Sequence, residues 1–396
     1  MHTVRRGTRE YARASLAMLA LGLAIFNSLY STQALLPTLS QQLEVSPSVA
    51  ALSVSAATGA LALCVVPFSV LSEKYGRGRI LIISALAATL IGLALPLAQS
   101  APQLIALRAV QGAMIAGAPA VAMTWLAEEV DDADLPAAMG LYVAGTSIGG
   151  LSGRLIPSLV LEFASWRVAL VATSAFALVL AVAVALLLPP QRNFRPKESI
   201  RPSAEIRAMA RHLKNPRLVA LYLTAFIGMG VFVSMYNFFG YRAVDHFRLP
   251  PALAGLVFVM YLSGTWSSAR AGSMVHRFGR GRVVGAGATL MLLGALAAGS
   301  GALWLALAGL LVFTASFFAM HSTASGWVGQ IAQRDRAEAS SMYVLCYYLG
   351  SSILGAATGA AFEGLAWWGF TAVLAALLAV LVGVALALAL NQRRRS

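Results

Sequence analysis

Apolar runs of about 20 residues, the length that carries a helix across the hydrocarbon core, follow one another along almost the whole chain and are broken only by short polar clusters. They predict twelve spans, at 14–38, 47–72, 80–100, 102–127, 135–160, 166–189, 217–241, 251–272, 283–301, 303–328, 339–361 and 365–390. Helices satisfy every backbone donor and acceptor inside their own segment, as lipid demands. The alternation over about ten residues that marks a barrel strand is absent. The expected class is therefore an all-α integral membrane protein. Ser46-Pro47, Asp134-Leu135-Pro136 and Asn215-Pro216 each place a capping residue ahead of a proline in the first helical turn.

The pattern also repeats. The loop "EKYGRGR", Glu73–Arg79, returns as "HRFGRGR", His276–Arg282, and at an offset near 203 Trp125 falls on Trp327. "LYVAGTSIGG", from Leu141, lies over "MYVLCYYLGS", from Met342, with Tyr, Val and Gly in step. Two pseudo-symmetric six-helix bundles follow, 1–190 and 217–396, joined by a hydrophilic linker at 191–216. Repeats of this kind place a substrate at their interface, near mid-membrane. Within the linker, 204–213 has the character of a basic amphipathic surface helix.

Composition agrees: 59% of the 396 residues are hydrophobic and 11% are charged. The net charge of +14 would suggest nucleic acid if it were spread over a surface. Instead most Lys and Arg fall in the segments that are cytoplasmic when the N-terminus is cytoplasmic, and the opposite face keeps Arg167, Arg242 and Arg248. That asymmetry sets membrane orientation and excludes nucleic acid as the partner. Both termini are expected in the cytoplasm, and the basic leader lacks a cleavage site and is expected to be retained. Cys64 and Cys346 sit in spans of different halves as packing residues, so neither a disulfide nor a metal site is expected.

The order of residues in the repeated loop carries more than charge. Ser69-x-Leu71-x-Glu73-Lys74-x-Gly76-Arg77-x-Arg79 resembles the loop signature of the major facilitator superfamily, Gly-x-x-x-Asp-Arg-x-Gly-Arg-Arg. The second copy keeps Gly272, Arg277, Gly279 and Arg280, with His276 at the acidic position. "LRAVQGAMIAG" resembles the Arg-x-x-Gln-Gly motif through Arg108, Gln111 and Gly112, and "GTSIGGLSGRLIP" resembles the glycine-rich antiporter signature through Gly145, Gly149 and Gly153. Gly150 stands where that signature has Pro, and Arg154 where it has Gly. The chain is most similar to the arabinose-efflux and YnfM-like bacterial inner-membrane branch, through "AVAMTWLAEEV", "GTWSS" and "YYLGSS".

The resemblance implies a cytoplasmic latch. Glu73 would dock on the N-terminus of the eleventh span, where unpaired N–H groups favour a carboxylate. Lys74 and Arg77 would pair with Glu128 or Glu129, and Asp131, Asp132 and Asp134 would answer Arg277 and Arg280. It also implies that Gly145, Gly149, Gly150 and Gly153 form a hinge or sliding surface, whereas spacing alone is equally satisfied by static packing.

Arg108 and Arg154 are charges placed inside spans, and such residues normally face an interior site; the alternative for Arg108, about two turns from the outer end of its span, is snorkelling to the interface, and Arg154 fits either reading equally. No carboxylate falls in the middle of a span, so His321 is the group left to exchange protons near neutral pH; a neutral, hydrogen-bonded histidine is the simpler alternative. Phe26, Asn27, Tyr30, Gln33, Tyr236, Asn237, Tyr343 and Tyr347 are the expected cavity lining. Aromatic rings with few polar groups suit an amphipathic ligand. GTSIG also fits a hydrolase elbow, but Ser147 lies inside a span rather than at a strand-to-helix turn, and an enzyme is not expected. The expected function is proton-coupled efflux of small amphipathic compounds by a monomer in the bacterial inner membrane, without cofactors. The alternative is a facilitator or antiporter for a small anionic metabolite drawn in by Arg108 and Arg154.

Overall fold

The computed structural model describes residues 4–194, 196, 202–332 and 334–393. Residues 195 and 197–201 of the expected linker lie outside that range. Every expected span is helical. In chain order the elements are α1 (Arg9–Tyr30), α2 (Leu36–Gln42), α3 (Pro47–Tyr75), α4 (Arg77–Ala94), α5 (Ala101–Ile115), α6 (Gly117–Glu129), α7 (Leu135–Val160) and α8 (Trp166–Leu187). The short α9 (Pro202–His212) falls where the basic amphipathic helix was expected. There follow α10 (Pro216–Asp245), α11 (Pro251–Gly255), α12 (Tyr261–Phe278), α13 (Arg280–Ala298), α14 (Leu303–Ile331), α15 (Arg336–Gly364) and α16 (Trp367–Arg393).

Three spans are broken, and prolines explain two of the breaks. Pro37 at the start of α2 and Pro119 near the start of α6 cannot donate to the preceding turn, and their rings clash with the carbonyl four residues back. The apolar run from Ala101 to Glu129 is accordingly split at Ala116. Among the described residues, eleven helical segments are long and apolar enough to cross a membrane. The twelfth expected span, α7, has 26 residues, but its glycines and Arg154 dilute its apolar content.

Capping follows the prolines with one exception. The Asn215 side chain accepts the Arg217 N–H at 3.1 Å, and Ser46 Oγ receives that of Val49. Asp134 does not cap its own helix, contrary to expectation. Its carboxylate instead accepts the Arg6 N–H at 2.7 Å, because the leader returns to this end of α7.

The chain forms two compact units. The first comprises Met1–Val45, Ala56–Pro202 and Pro251–Leu256; in it α1 packs along α7 and α8, and α4 along α8. The second comprises Ser46–Ser55, Ser203–Pro250 and Val257–Ser396; in it α10 packs along α15 and α16, α13 along α14 and α16, and α12 along α14. The two units reuse one device. A methyl group at Gly149 of α7 would lie 2.6 Å from the Leu23 carbonyl oxygen of α1. Gly350 of α15, its repeat equivalent, presses in the same way on the Phe226 carbonyl of α10. Only a residue without a side chain lets these helix backbones touch.

Candidate functional site

The repeated loops share an unusual backbone. Gly76 (φ 97°) and Gly279 (φ 81°) both take a left-handed conformation immediately before a helix, which a residue with Cβ adopts only under strain. Gly78 serves a different purpose. It is already helical and donates its N–H to Gln191 Oε1 at 2.8 Å.

Around the first loop, Arg77 Nε meets Glu128 Oε1 at 2.7 Å, and its Nη1 donates to Ser72 Oγ at 3.0 Å. The expected Arg77–Glu128 pairing is therefore present. Glu129 is occupied differently: 2% exposed, it accepts the N–H groups of Arg192 at 3.1 Å and Asn193 at 3.0 Å. The Lys74 ammonium lies over the Tyr75 ring at 5.5 Å. Arg79 is exposed and Glu73 half-buried. Asp131 engages Arg5 of the leader at 3.2 Å. In the second loop Arg277 is exposed over the Phe278 ring, with Arg280 half-buried beyond Gly279.

Arg108 is fully buried on α5. Its Nη1 donates to the Ser28 carbonyl at 2.8 Å, Nη2 donates to the Leu29 carbonyl, and Gln111 Oε1 accepts a further N–H. Ser28 and Leu29 lie in the last turn of α1, where carbonyls lack an intrahelical partner and a cation is favoured. Gln111 in turn donates to the Ala88 carbonyl of α4 at 3.0 Å. The pair thus ties α1, α4 and α5 together.

Arg154, 1% exposed on α7, stacks over the Tyr30 ring at 3.8 Å and donates from Nε to Gln33 Oε1 at 2.7 Å and from Nη1 to the Gly150 carbonyl. The Asn27 amide lies 2.9 Å from Ser152 Oγ, in the α1–α7 contact where Gly153 meets the Asn27 backbone. Gly145 meets the Leu19 carbonyl in the same seam. Asn27, Tyr30 and Gln33 thus share one buried polar seam of the first unit, while Phe26 is half-buried on α1.

The second unit holds an aromatic column. Phe232 of α10 stacks on Phe317 of α14 at 4.2 Å, Phe317 on His321 at 5.7 Å, and Tyr347 of α15 lies 4.6 Å from His321. Tyr236, 5.0 Å from Phe232, has its hydroxyl 2.6 Å from Thr314 Oγ1. Asn237 beside it is buried. His321 Nδ1 is 3.0 Å from the Tyr343 hydroxyl, which also donates to the His321 carbonyl at 3.3 Å. Stacking and hydrogen bonding together fix the imidazole plane.

Two features escape a reading of the sequence. The Arg270 guanidinium lies over the Trp266 indole at 4.6 Å on α12; the spacing of four on a polar helix was the available signal. The leader also pairs with the α6–α7 loop, Val4 N–H donating to the Glu129 carbonyl at 2.8 Å and Asp131 N–H to that of Val4 at 3.0 Å. Nothing local in the sequence announces that bridge.

Comparison with known proteins agrees with the repeated loop and the helical architecture. The family model of the Major Facilitator Superfamily matches residues 16–272. The chain belongs to the major facilitator superfamily. It is 39% identical over 386 residues to the inner membrane transport protein YnfM of Escherichia coli (strain K12), covering 97% of this chain and 92% of that one. It is 33% identical over 381 residues to the MFS-type transporter YybF of Bacillus subtilis (strain 168), covering 96% and 94%. The fold is that of the nucleoside transporter NupG (TM-score 0.72, 14% identity, 96% of this chain and 99% of that one). It is equally that of a bacterial homologue of the human lysosomal transporter Spinster in an inward-facing, unoccupied conformation (TM-score 0.75, 15% identity, 97% and 96%). The protein is thus a multi-pass membrane transporter of the YnfM-like branch, moving a small molecule, and not an enzyme.

Proposed function

We propose that this superfamily member exports small amphipathic compounds across the bacterial inner membrane by alternating access, driven by inward protons, with both termini cytoplasmic. The observation that carries this reading is the position of His321. It is held at 3.0 Å by Tyr343 and flanked by Phe317 and Tyr347. An imidazole, which can take up and release a proton, thus sits at one end of an aromatic column suited to a flat, largely apolar ligand. Proton uptake at His321 changes the charge of the surface such a ligand touches, and that is the coupling the reading requires.

The remaining roles follow from it. Glu73, Lys74, Arg77, Arg79, Glu128 and Glu129, with Arg277, Gly279 and Arg280 of the second loop, form the cytoplasmic latch. Gly145, Gly149, Gly150 and Gly153 let α7 slide on α1. The monomer is the transporting unit. Arg108 and Arg154 support the alternative, transport of an anionic metabolite, less well than their spacing suggested, since both guanidinium groups donate to carbonyl and amide oxygens of the first unit.

The test is transport of a panel of fluorescent amphipathic compounds by proteoliposomes with and without an imposed pH gradient. Wild type is expected to concentrate at least one compound only with the gradient. His321→Gln is expected to lose that dependence and keep exchange of labelled for unlabelled compound. Gradient-independent transport by wild type, or full coupling in His321→Gln, overturns the reading.

A further inference from the structure

Helix α12 is two-faced in a way lipid does not explain. On one side Gly264, Ser267 and Ala271 are buried: Gly264 lies against the Phe318 ring, Ser267 Oγ donates to the Ala315 carbonyl at 2.7 Å, and the Ser268 hydroxyl pairs with that of Ser322, all on α14. The other side exposes Leu262, Thr265, Trp266, Arg270, Ser273 and Arg277. A lipid-facing helix looks different; α16 exposes Val380, Leu386 and Leu390. A guanidinium in hydrocarbon is costly, most at mid-span and less towards a helix end, and beside this exposed face of α12 water is the better neighbour.

Arg270 does not reach for the nearer helix end either. Phe278 closes α12 eight residues further on, about 12 Å away at 1.5 Å per residue. The guanidinium turns the opposite way, onto Trp266 four residues before it, at 4.6 Å. Snorkelling to the headgroups would aim it towards Phe278. The indole is 59% exposed, and among the described residues no hydrogen bond or ion pair engages the Arg270 N–H groups. An aromatic face thus backs an exposed, planar five-donor fork, and a fork of that kind can bind a carboxylate in a bidentate fashion.

We propose that Trp266 and Arg270 form the recognition site for the carboxylate of a planar organic anion that reaches the transporter from water. The inference deepens the export reading and rests on it: the amphipathic cargo carries its charge as a carboxylate. Arg270 supplies both N–H bonds and the neutralising charge. Trp266 fixes the fork and offers its exposed edge to the apolar part of the ligand.

The test uses the full-length purified protein and its thermal unfolding, with benzoate as probe, benzamide as its uncharged analogue and acetate as an anion without a ring. Benzoate is expected to raise the unfolding temperature of wild type, with benzamide and acetate ineffective. Arg270→Gln is expected to weaken benzoate by about tenfold or more, the value of one or two charge-assisted hydrogen bonds. Arg270→Lys should fall between, and Trp266→Leu should also weaken it. Both positions are exposed, so the unliganded unfolding temperatures should match wild type. Absence of protection by benzoate, or equal protection of Arg270→Gln, overturns the proposal. So does Arg270-dependent stabilisation in phosphatidylglycerol nanodiscs without any benzoate effect, which would make a lipid headgroup the occupant. Benzoate protection alongside gradient-independent transport removes proton coupling and leaves this site standing; coupled transport without benzoate protection does the reverse.

Discussion

Glu363, in the last turn of α15, accepts the backbone N–H of Ser48 in the first turn of α3 at 2.7 Å. Ser48 is one of the first residues of α3, whose opening N–H groups have no partner within the helix. A carboxylate from elsewhere in the chain therefore does the work usually left to a capping residue. The approach is permitted one turn earlier by Gly359, where a methyl group would lie 3.0 Å from Ser48 Cα. Ser352 adds a hydrogen bond to the Ser55 carbonyl at 2.7 Å, so one face of α15 follows the first turns of α3. Replacing Glu363 with Ala should cost about 0.5–1 kcal/mol, the lower part of the range for a cap because the pair is exposed. Differential scanning fluorimetry in detergent should show a lower unfolding temperature, with Glu363→Gln intermediate.

The α1–α7 seam predicts a contrast along a single helix. Gly153→Ala drives a methyl group into the Asn27 backbone, and an overpacked contact of this kind typically costs about 1–3 kcal/mol. Gly140→Ala on the same helix meets nothing within 4 Å. Thermal unfolding should separate the two, with Gly140→Ala at or above wild type because alanine also favours the helix. Equal effects would remove the close backbone contact as the reason for the glycines.

Arg77 and Glu128 offer a charge-reversal test. Glu128→Arg opposes two cations across the 2.7 Å contact, and Arg77→Glu opposes two carboxylates. Each alone should reduce transport in vesicles. The double reversal should restore a large part of it, because the pair is half-buried and its sign matters less than its complementarity. A double variant no better than either single one would show that Arg77 acts elsewhere.

For Arg108, lysine is a harsh substitution. One ammonium cannot reproduce a fork that serves the Ser28 and Leu29 carbonyls and Gln111 at once. Leaving a buried carbonyl without its donor costs about 1–3 kcal/mol. Arg108→Lys should therefore lower the unfolding temperature as well as transport. An unchanged unfolding temperature with lost transport would assign Arg108 to substrate or proton handling instead.

Glu129 anchors the start of the linker through the Arg192 and Asn193 N–H groups. Glu129→Ala strands both donors and should release the segment. The readout is limited trypsin digestion, in which cleavage after Arg192 should accelerate several-fold while cleavage after Arg277, exposed in the last turn of α12 in the second unit, stays constant.

The hydrophobic pattern determined most of the architecture: a run of about 20 apolar residues has few alternatives to a membrane helix, and prolines and glycines punctuate locally. Repetition of the basic loop even fixed its backbone, since Gly76 and Gly279 occupy left-handed positions that strain other residues. Proline likewise explains why the runs at α1–α2 and α5–α6 break where they do. The partners of the polar residues were a different matter. Sequence placed Arg108 in a span, yet only packing made it the cap of α1. It offered Glu128 and Glu129 as interchangeable, and the fold gave one to Arg77 and the other to two backbone N–H groups. Trp266 and Arg270 gave no sign that the guanidinium would lie over the indole on an exposed face of α12, because spacing along a helix tells which residues share a face and not what that face meets. Helix formation rests on neighbours a few positions away. The fate of a buried charge rests on groups brought beside it from tens or hundreds of positions distant, and that only tertiary structure decides.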